Sequence, residues 1–198
     1  MKKYKVCAFF AFLCLTMVCF PGCSTMRSHP ADFYLLSFQP LPQLAAQDGL
    51  IGVFPVMVPD YLNRPQIVTR TGENRIDLNE FHRWAEPLRA NITSILVQNL
   101  SHLLQTDGII NSGQNFRLPL RFQVRVDVLR FDGELGGKVI LSGRWGIFSD
   151  DGKETSVLRS FFFQEQTHSE TYADYVAAMS RTIAELSRVI AEELERIL

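Results

Sequence analysis

Leu118-Pro119-Leu120-Arg121-Phe122-Gln123-Val124-Arg125-Val126-Asp127-Val128-Leu129-Arg130-Phe131 is written in alternation. Leu118, Leu120, Phe122, Val124, Val126 and Val128 fall on one side of an extended chain. Arg121, Gln123, Arg125 and Asp127 fall on the other. Side chains of a strand point to opposite faces with a period of two, so this predicts a strand with one face buried and one in water. At Leu129-Arg130-Phe131 the alternation slips by one, as a β-bulge would make it. The Gly-bearing segment Asp132 to Gly137 then turns the chain into Val139 to Phe148, apolar at Val139, Leu141, Trp145 and Ile147. Ser149-Asp150-Asp151-Gly152 turns it again into Thr155 to Gln166, whose Phe161-Phe162-Phe163 run predicts a strand covered on both faces. Three consecutive strands with short turns make an antiparallel meander.

Two amphipathic helices frame the meander. Toward the carboxyl end, Tyr172 to Leu198 carries Tyr172, Tyr175, Val176, Met179, Ile183, Leu186, Val189, Ile190, Leu194 and Ile197 at spacings of three and four. Thr171 followed by Asp174 resembles a capping box with Asp in place of Glu. Toward the amino end, Pro87 to Leu104 carries the stripe Leu88, Ile92, Ile95, Leu96, Leu100, Leu103 and Leu104. Pro87 suits a first helical position, where its missing N–H costs nothing. Earlier still, Phe33 to Phe38 and Leu50 to Val58 read as strands, with Pro55 marking an edge, a bulge or a break in the second. Gln66 to Arg70 and Arg75 to Asn79 flank Thr71-Gly72-Glu73-Asn74 as a hairpin, and Arg-Ile-Asp-Leu-Asn alternates with one wet face. The expected fold is α+β: an antiparallel-rich sheet packed against two amphipathic helices, in one domain spanning residues 33–198.

The first residues are an address. Met1 to Lys5 is basic, Val6 to Phe20 is an apolar run of about 15 residues, and Pro21-Gly22-Cys23-Ser24 follows. That is shorter than the ~20 residues a bilayer span needs. Residues 1–22 read as a secretory signal, and Gly-Cys-Ser resembles a bacterial lipobox in which Cys23 is acylated. An uncleaved signal anchor and a cleaved, unlipidated export signal are the alternatives. Residues 23–32 form a polar tether of about 30 Å when extended. By resemblance to sorted lipoproteins, Ser24 after the cysteine implies the outer membrane. Cys7, Cys14, Cys19 and Cys23 are the four cysteines, so none remains in the body for a disulfide or zinc site.

Composition narrows the chemistry further. Setting aside Lys2, Lys3 and Lys5, the chain keeps 17 of its 20 basic residues against 21 acidic ones. An acidic body argues against nucleic acid, which needs clustered Lys and Arg. His29, His82, His102 and His168 are scattered, with no metal-ligand spacing. No nucleophile elbow, P-loop or dinucleotide fingerprint occurs. A Ser/His/Asp set, whose members need only meet in space, stays open on sequence alone. The expectation is a protein with no enzymatic activity, no cofactor and no metal.

What remains is Val58 to Pro87, where aromatic rings, arginines, carboxylates and prolines crowd together. Exposed Tyr, Trp and Arg anchor interfaces, and a hairpin with little apolar content needs a neighbour. Asp60, Tyr61, Arg64, Gln66, Arg70, His82, Arg83 and Trp84 are therefore the candidate partner-binding residues. The bland alternative is structural: Tyr61 and Leu62 plug a core edge, Arg64 or Arg70 pairs with Asp60 or Glu73, and Phe81 and Trp84 cap the sheet.

Val58-Pro59-Asp60-Tyr61-Leu62-Asn63-Arg64-Pro65-Gln66-Ile67-Val68 and Glu80-Phe81-His82-Arg83-Trp84-Ala85-Glu86-Pro87-Leu88 resemble the signature of the ABC-type transport auxiliary lipoproteins. The resemblance continues through Val126 to Gly133, Gly143-Arg144-Trp145, Ala177 to Ser180 and Leu186-Ser187. It implies a fold similar to the amino-terminal domain of TolB. It also implies an outer-membrane lipoprotein facing the periplasm, a non-catalytic component of an MCE-type phospholipid transport system that docks the periplasm-spanning MCE-domain protein. A ring of identical copies is a further expectation. The rival expectation is a free-standing module that holds a lipid or small apolar ligand itself.

Overall fold

The computed structural model describes residues 30–46, 48–114, 118–149 and 155–198. The expected export signal, Cys23, the expected tether up to residue 29 with His29, and the expected Asp150-Asp151-Gly152 turn lie outside the described residues.

Residues Ala31–Leu198 form one compact unit. Among the described residues its larger sheet holds, in spatial order, Ile109–Asn111 (β5), Ile51–Val53 (β2), Phe122–Gly133 (β6), Lys138–Ser149 (β7) and Thr155–Gln166 (β8), and its smaller one Asp32–Tyr34 (β1), Arg75–Trp84 (β4) and Gln66–Gly72 (β3). Strand β6 (Phe122–Gly133), β7 (Lys138–Ser149) and β8 (Thr155–Gln166) are the expected antiparallel meander. The register slips between Val128 and Arg130, which leaves Leu129 as the bulged residue. Before the slip Val124, Val126 and Val128 are buried; after it Phe131 is.

The expected single antiparallel-rich sheet is corrected here to two mixed sheets. Strand β2 (Ile51–Val53) lies between β5 (Ile109–Asn111) and β6 and is parallel to both. It breaks at Phe54-Pro55 and resumes only as a bridge from Met57 to Asp127, so Pro55 interrupts an interior strand. In the smaller sheet, β1 (Asp32–Tyr34) is parallel to β4 (Arg75–Trp84), and β3 (Gln66–Gly72) pairs with β4 as the expected hairpin. The first strand is thus shorter than Phe33 to Phe38, and the hairpin's second arm runs on to Trp84.

Helix α1 (Leu88–Leu103) buries every residue of its predicted stripe. Four of them, Ile92, Leu96, Leu100 and Leu104, are completely enclosed. It also buries Asn91, Thr93 and Asn99, each with a partner: Asn91 accepts from the Leu36 N–H at 2.6 Å, Thr93 from the Val56 N–H at 3.1 Å, and Asn99 donates to Ser187 at 3.0 Å. Burying a polar group costs least when it is hydrogen-bonded, and these bonds fix α1 against its surroundings, although the Asn99 Oδ1 is enclosed without a donor. Helix α2 (Tyr172–Ile197) buries its stripe except for the half-buried Val189 and Ile197. Thr171 caps it, accepting from the Asp174 N–H at 3.3 Å. The Asp174 carboxylate reaches past the cap to the N–H groups of His168 and Ser169, at 2.5 and 2.6 Å, and secures the chain entering the helix.

Both helices pack on each other, and α2 lies along the β7–β8 face that carries Trp145, Ile147 and Phe161. The opposite face of the meander is open. Phe162 is 62% exposed, with Leu129 and Leu158 on the same side, so the Phe161–Phe163 run is covered on one face only. The reason is that, among the described residues, both long helices lie on the other side of the sheet.

Candidate functional site

The Val58–Pro87 stretch divides into an inward half and an outward half. A 3-10 turn over Asp60–Leu62 drives Leu62 into the core and swings Tyr61 toward the end of β6. There the Tyr61 hydroxyl donates to Asp132 Oδ2 at 2.7 Å, while Arg70 Nε and Arg130 Nε donate to Oδ1 at 2.6 and 2.8 Å. The Asp132 side chain has no solvent exposure. Burial alone would raise its pKa; the hydrogen bonds from Arg70, Tyr61 and Arg130 outweigh burial and hold the carboxyl below the ordinary range. Burial, then the bond to Asp132, pushes the Tyr61 hydroxyl up to about 12, so it remains a donor through neutral pH. The Arg70 pKa is raised by its bond to Asp132. Tyr175, buried in α2, donates to the Val68 carbonyl at 3.0 Å. Asp132 and Tyr175 together fasten the smaller sheet to the rest of the domain.

The other candidates lie elsewhere. Asp60 is exposed, and its carbonyl accepts from the Asn63 N–H at 3.1 Å. Gln66 Nε2 and Arg83 both reach Glu80, at 2.9 Å and 2.6 Å, and the Arg83 bond first, then Gln66, lowers the Glu80 pKa. His82 stacks on Tyr172 with ring centres 3.9 Å apart, and its Nδ1 shares a 2.9 Å hydrogen bond with Tyr34. Trp84 is core, only 5% exposed.

Beyond these anchors the hairpin stands clear. Arg75, Ile76, Asp77 and Leu78 are successive residues of β4 and all exposed, so neither face of β4 is covered there, whereas Val68 and Thr69 opposite them on β3 are buried. Ile76 and Leu78 are each 37% exposed, where a single wet face was expected. Phe81 is exposed on the same strand, and Phe33 of β1 pairs with Arg83 beside it. Beneath the arm a surface cleft of about 350 Å³ is lined by Asn63, Arg64, Pro65, Trp84, Ala85, Glu86 and Pro87.

Asp132, Arg130 and Tyr172 organise this region, yet residue patterning places Tyr172 only in a helix stripe and marks neither Asp132 nor Arg130 as part of a site. Asp132 reads as the start of a turn, and the one available signal was the bulge just before it, which reverses the faces of the strand. Among the described residues no group of three or more His, Cys, Asp or Glu could hold a metal ion, and no helix is long and apolar enough to cross a membrane.

Residues 34–191 match the family model described as the ABC-type transport auxiliary lipoprotein component. Over 181 residues, 89% of this chain and 92% of the other, the chain is 29% identical to the intermembrane transport lipoprotein PqiC of Escherichia coli (strain K12). Among solved structures, one of an uncharacterized protein superposes with a TM-score of 0.70 at 26% identity, over 84% of this chain and 99% of that one. Protein XCC0632 from Xanthomonas campestris also gives 0.70, at 13% identity, over 85% and 100% respectively, which shows a shared fold.

Proposed function

The chain belongs to the ABC-type transport auxiliary lipoprotein family, and from that premise we propose that it is a non-catalytic component of an MCE-type intermembrane lipid transport system. In this reading residues 1–22 are removed and Cys23 is lipidated. The tether of residues 23–32 then holds the domain of residues 33–198 on the periplasmic face of the outer membrane. There it docks the MCE-domain protein that spans the periplasm, with phospholipid as cargo. The similarity to an intermembrane transport lipoprotein along nearly the whole chain supports the system. The observation that carries the docking role is the outer strand of the β3–β4 hairpin, exposed at Arg75, Ile76, Asp77 and Leu78 although β3 beside it is fastened to Asp132 through Arg70. A hairpin is stable in water only while one of its strands is packed, and the exposed apolar side chains of the other are free to be covered by something else.

The rival reading makes the domain itself the lipid carrier. The closed interior favours docking: Leu96, Leu100, Ile183, Leu186 and Ile190 are completely enclosed, so the helices meet side chain to side chain. A neighbouring copy, as in a ring, could cover the same arm.

The test is affinity capture of the full-length lipoprotein from solubilised membranes that contain the MCE-domain protein. Ile76→Asp with Arg83→Glu is expected to reduce captured partner at least tenfold while Cys23→Ala releases the protein from the membrane. Capture unchanged by the arm variant, or stoichiometric phospholipid in the purified domain by mass spectrometry, would overturn docking.

A further inference from the structure

Of the arginines in the Val58–Pro87 stretch, Arg70 is held by Asp132 and Arg83 by Glu80. Among the described residues the exposed Arg75 has no side-chain partner, and neither has the half-buried Arg64. Among the described residues no carboxylate lies within 4.0 Å of its guanidinium, and its Nε is shut off from solvent without an acceptor. A buried donor left unmade costs about 1–3 kcal/mol, and proteins keep few of them. The residue is half-buried and lines the 350 Å³ cleft, so the rest of the group faces that space. The cleft is pre-built. Arg64 N–H donates to the Leu62 carbonyl at 2.9 Å, Trp84 N–H to the Pro65 carbonyl at 2.7 Å, and Ala85 N–H to the Tyr34 carbonyl at 2.9 Å.

We propose that this cleft is a receptor for one carboxylate, an acidic side chain or a chain terminus, presented by the polypeptide that docks on the hairpin arm. The inference rests on the docking reading and names the chemistry of its contact. A guanidinium meets a carboxylate through two parallel hydrogen bonds, and Pro65, Trp84 and Pro87 give the cleft apolar walls beside Arg64. Helix α1 begins at the same place with Pro87 as its cap, without a side-chain acceptor there and without an acid in its first turn. Its amino end therefore adds a partial positive charge.

The same observations speak against a lipid phosphate. The second charge lining the cleft is Glu86, a carboxylate whose Oε1 accepts from Asn91 Nδ2 at 2.8 Å. One cation beside one anion suits a single negative charge better than a phosphate, which calls for several cations or N–H donors at once. The acidic body of the chain likewise gains nothing from an anionic lipid surface.

Three probes are titrated into the full chain in detergent: N-acetyl-glutamate amide, inorganic phosphate, and phosphatidylglycerol vesicles. The readouts are the Arg64 Nε–Hε and Trp84 indole signals by NMR. The expected result is a saturable shift with the blocked glutamate. It should be at least tenfold weaker in Arg64→Met, intermediate in Arg64→Lys, and stronger than any shift with phosphate or vesicles. Arg64→Met should keep or raise the thermal midpoint, because it removes an unsatisfied donor; a structural arginine would lower it. A shift that survives Arg64→Met, a preference for phosphate or vesicles, or a lowered midpoint would each overturn the proposal. In affinity capture, a partner retained equally by Arg64→Met removes the carboxylate contact and leaves docking intact. Failure of the wild-type chain to capture any partner removes docking and, with it, this proposal.

Discussion

Replacing Asp132 by Asn keeps the shape of the most enclosed acid in the domain and removes its charge. The carboxylate now accepts three hydrogen bonds, two of them from guanidinium groups. In Asp132→Asn one of the two terminal positions becomes an N–H donor that faces another donor, and Arg70 and Arg130 lose their counter-charge. Hydrogen bonds to charged groups contribute about 1.5–3 kcal/mol each, and breaking a buried pair from one side costs about 3–5 kcal/mol. Arg70 is 19% and Arg130 37% exposed, so both can recover some hydration, which places the loss near the lower end, about 3 kcal/mol. For a domain of this size that lowers the thermal midpoint by about 6–12 °C. The pH dependence supplies a second check. The folded carboxyl titrates below its unfolded value of about 3.9, so its contribution is complete above that pH and is lost as pH falls through the folded pKa. The gap between wild type and Asp132→Asn in urea unfolding should therefore hold from pH 7 to about 5 and close in stronger acid. Tyr61→Phe, which removes one donor and no charge, should cost about 1.5 kcal/mol. A loss below about 1 kcal/mol for Asp132→Asn, or a gap that does not close in acid, would refute the reasoning.

Thr171→Ala removes the side-chain cap of α2 and should lower stability by about 1 kcal/mol in the same urea assay, with Thr171→Ser restoring it. Leu100→Ala, at an enclosed position of α1, should cost about 2–5 kcal/mol, whereas Phe162→Ser on the open face of β8 should stay within about 0.5 kcal/mol.

The meander and both helices were legible because each repeats a pattern long enough to be seen. The alternation holds from Phe122 to Val128, although Leu118, expected on the buried face, is 43% exposed and precedes the strand, and the stripe of α1 is buried without exception. The parallel pairings were not legible. Ile51–Val53 and Ile109–Asn111 are three residues each, too short to carry a period, and nothing local tells β2 that its neighbours are β5 and β6. Phe161-Phe162-Phe163 reads as a doubly covered strand by composition, yet a helix covers only the face that carries Phe161, and composition does not report which layers the fold supplies. The candidate site divided along the same line. Tyr61 and Arg70 stood out as residue types, but the acid that turns them inward lies 71 and 62 residues further along the chain. His82 likewise meets Tyr172, a residue of the last helix, and only the fold brings them together.

The bulge at Leu129 acts as a half-period offset in β6. Without it the even-numbered residues would go on facing the helices, so that Arg130 and Asp132 would enter the apolar interior and Phe131 would leave it. With it, Phe131 closes the interior and Asp132 emerges on the far side, within reach of Tyr61 and Arg70. The strand is in effect two strands spliced out of phase, the first addressed to the helices and the second to the hairpin. A deletion of one residue between Val128 and Arg130 would leave the composition nearly unchanged and disconnect the hairpin from the body, whereas a conservative swap at Leu129 itself would pass almost unnoticed. In this chain, the residue count at that point matters more than the residue.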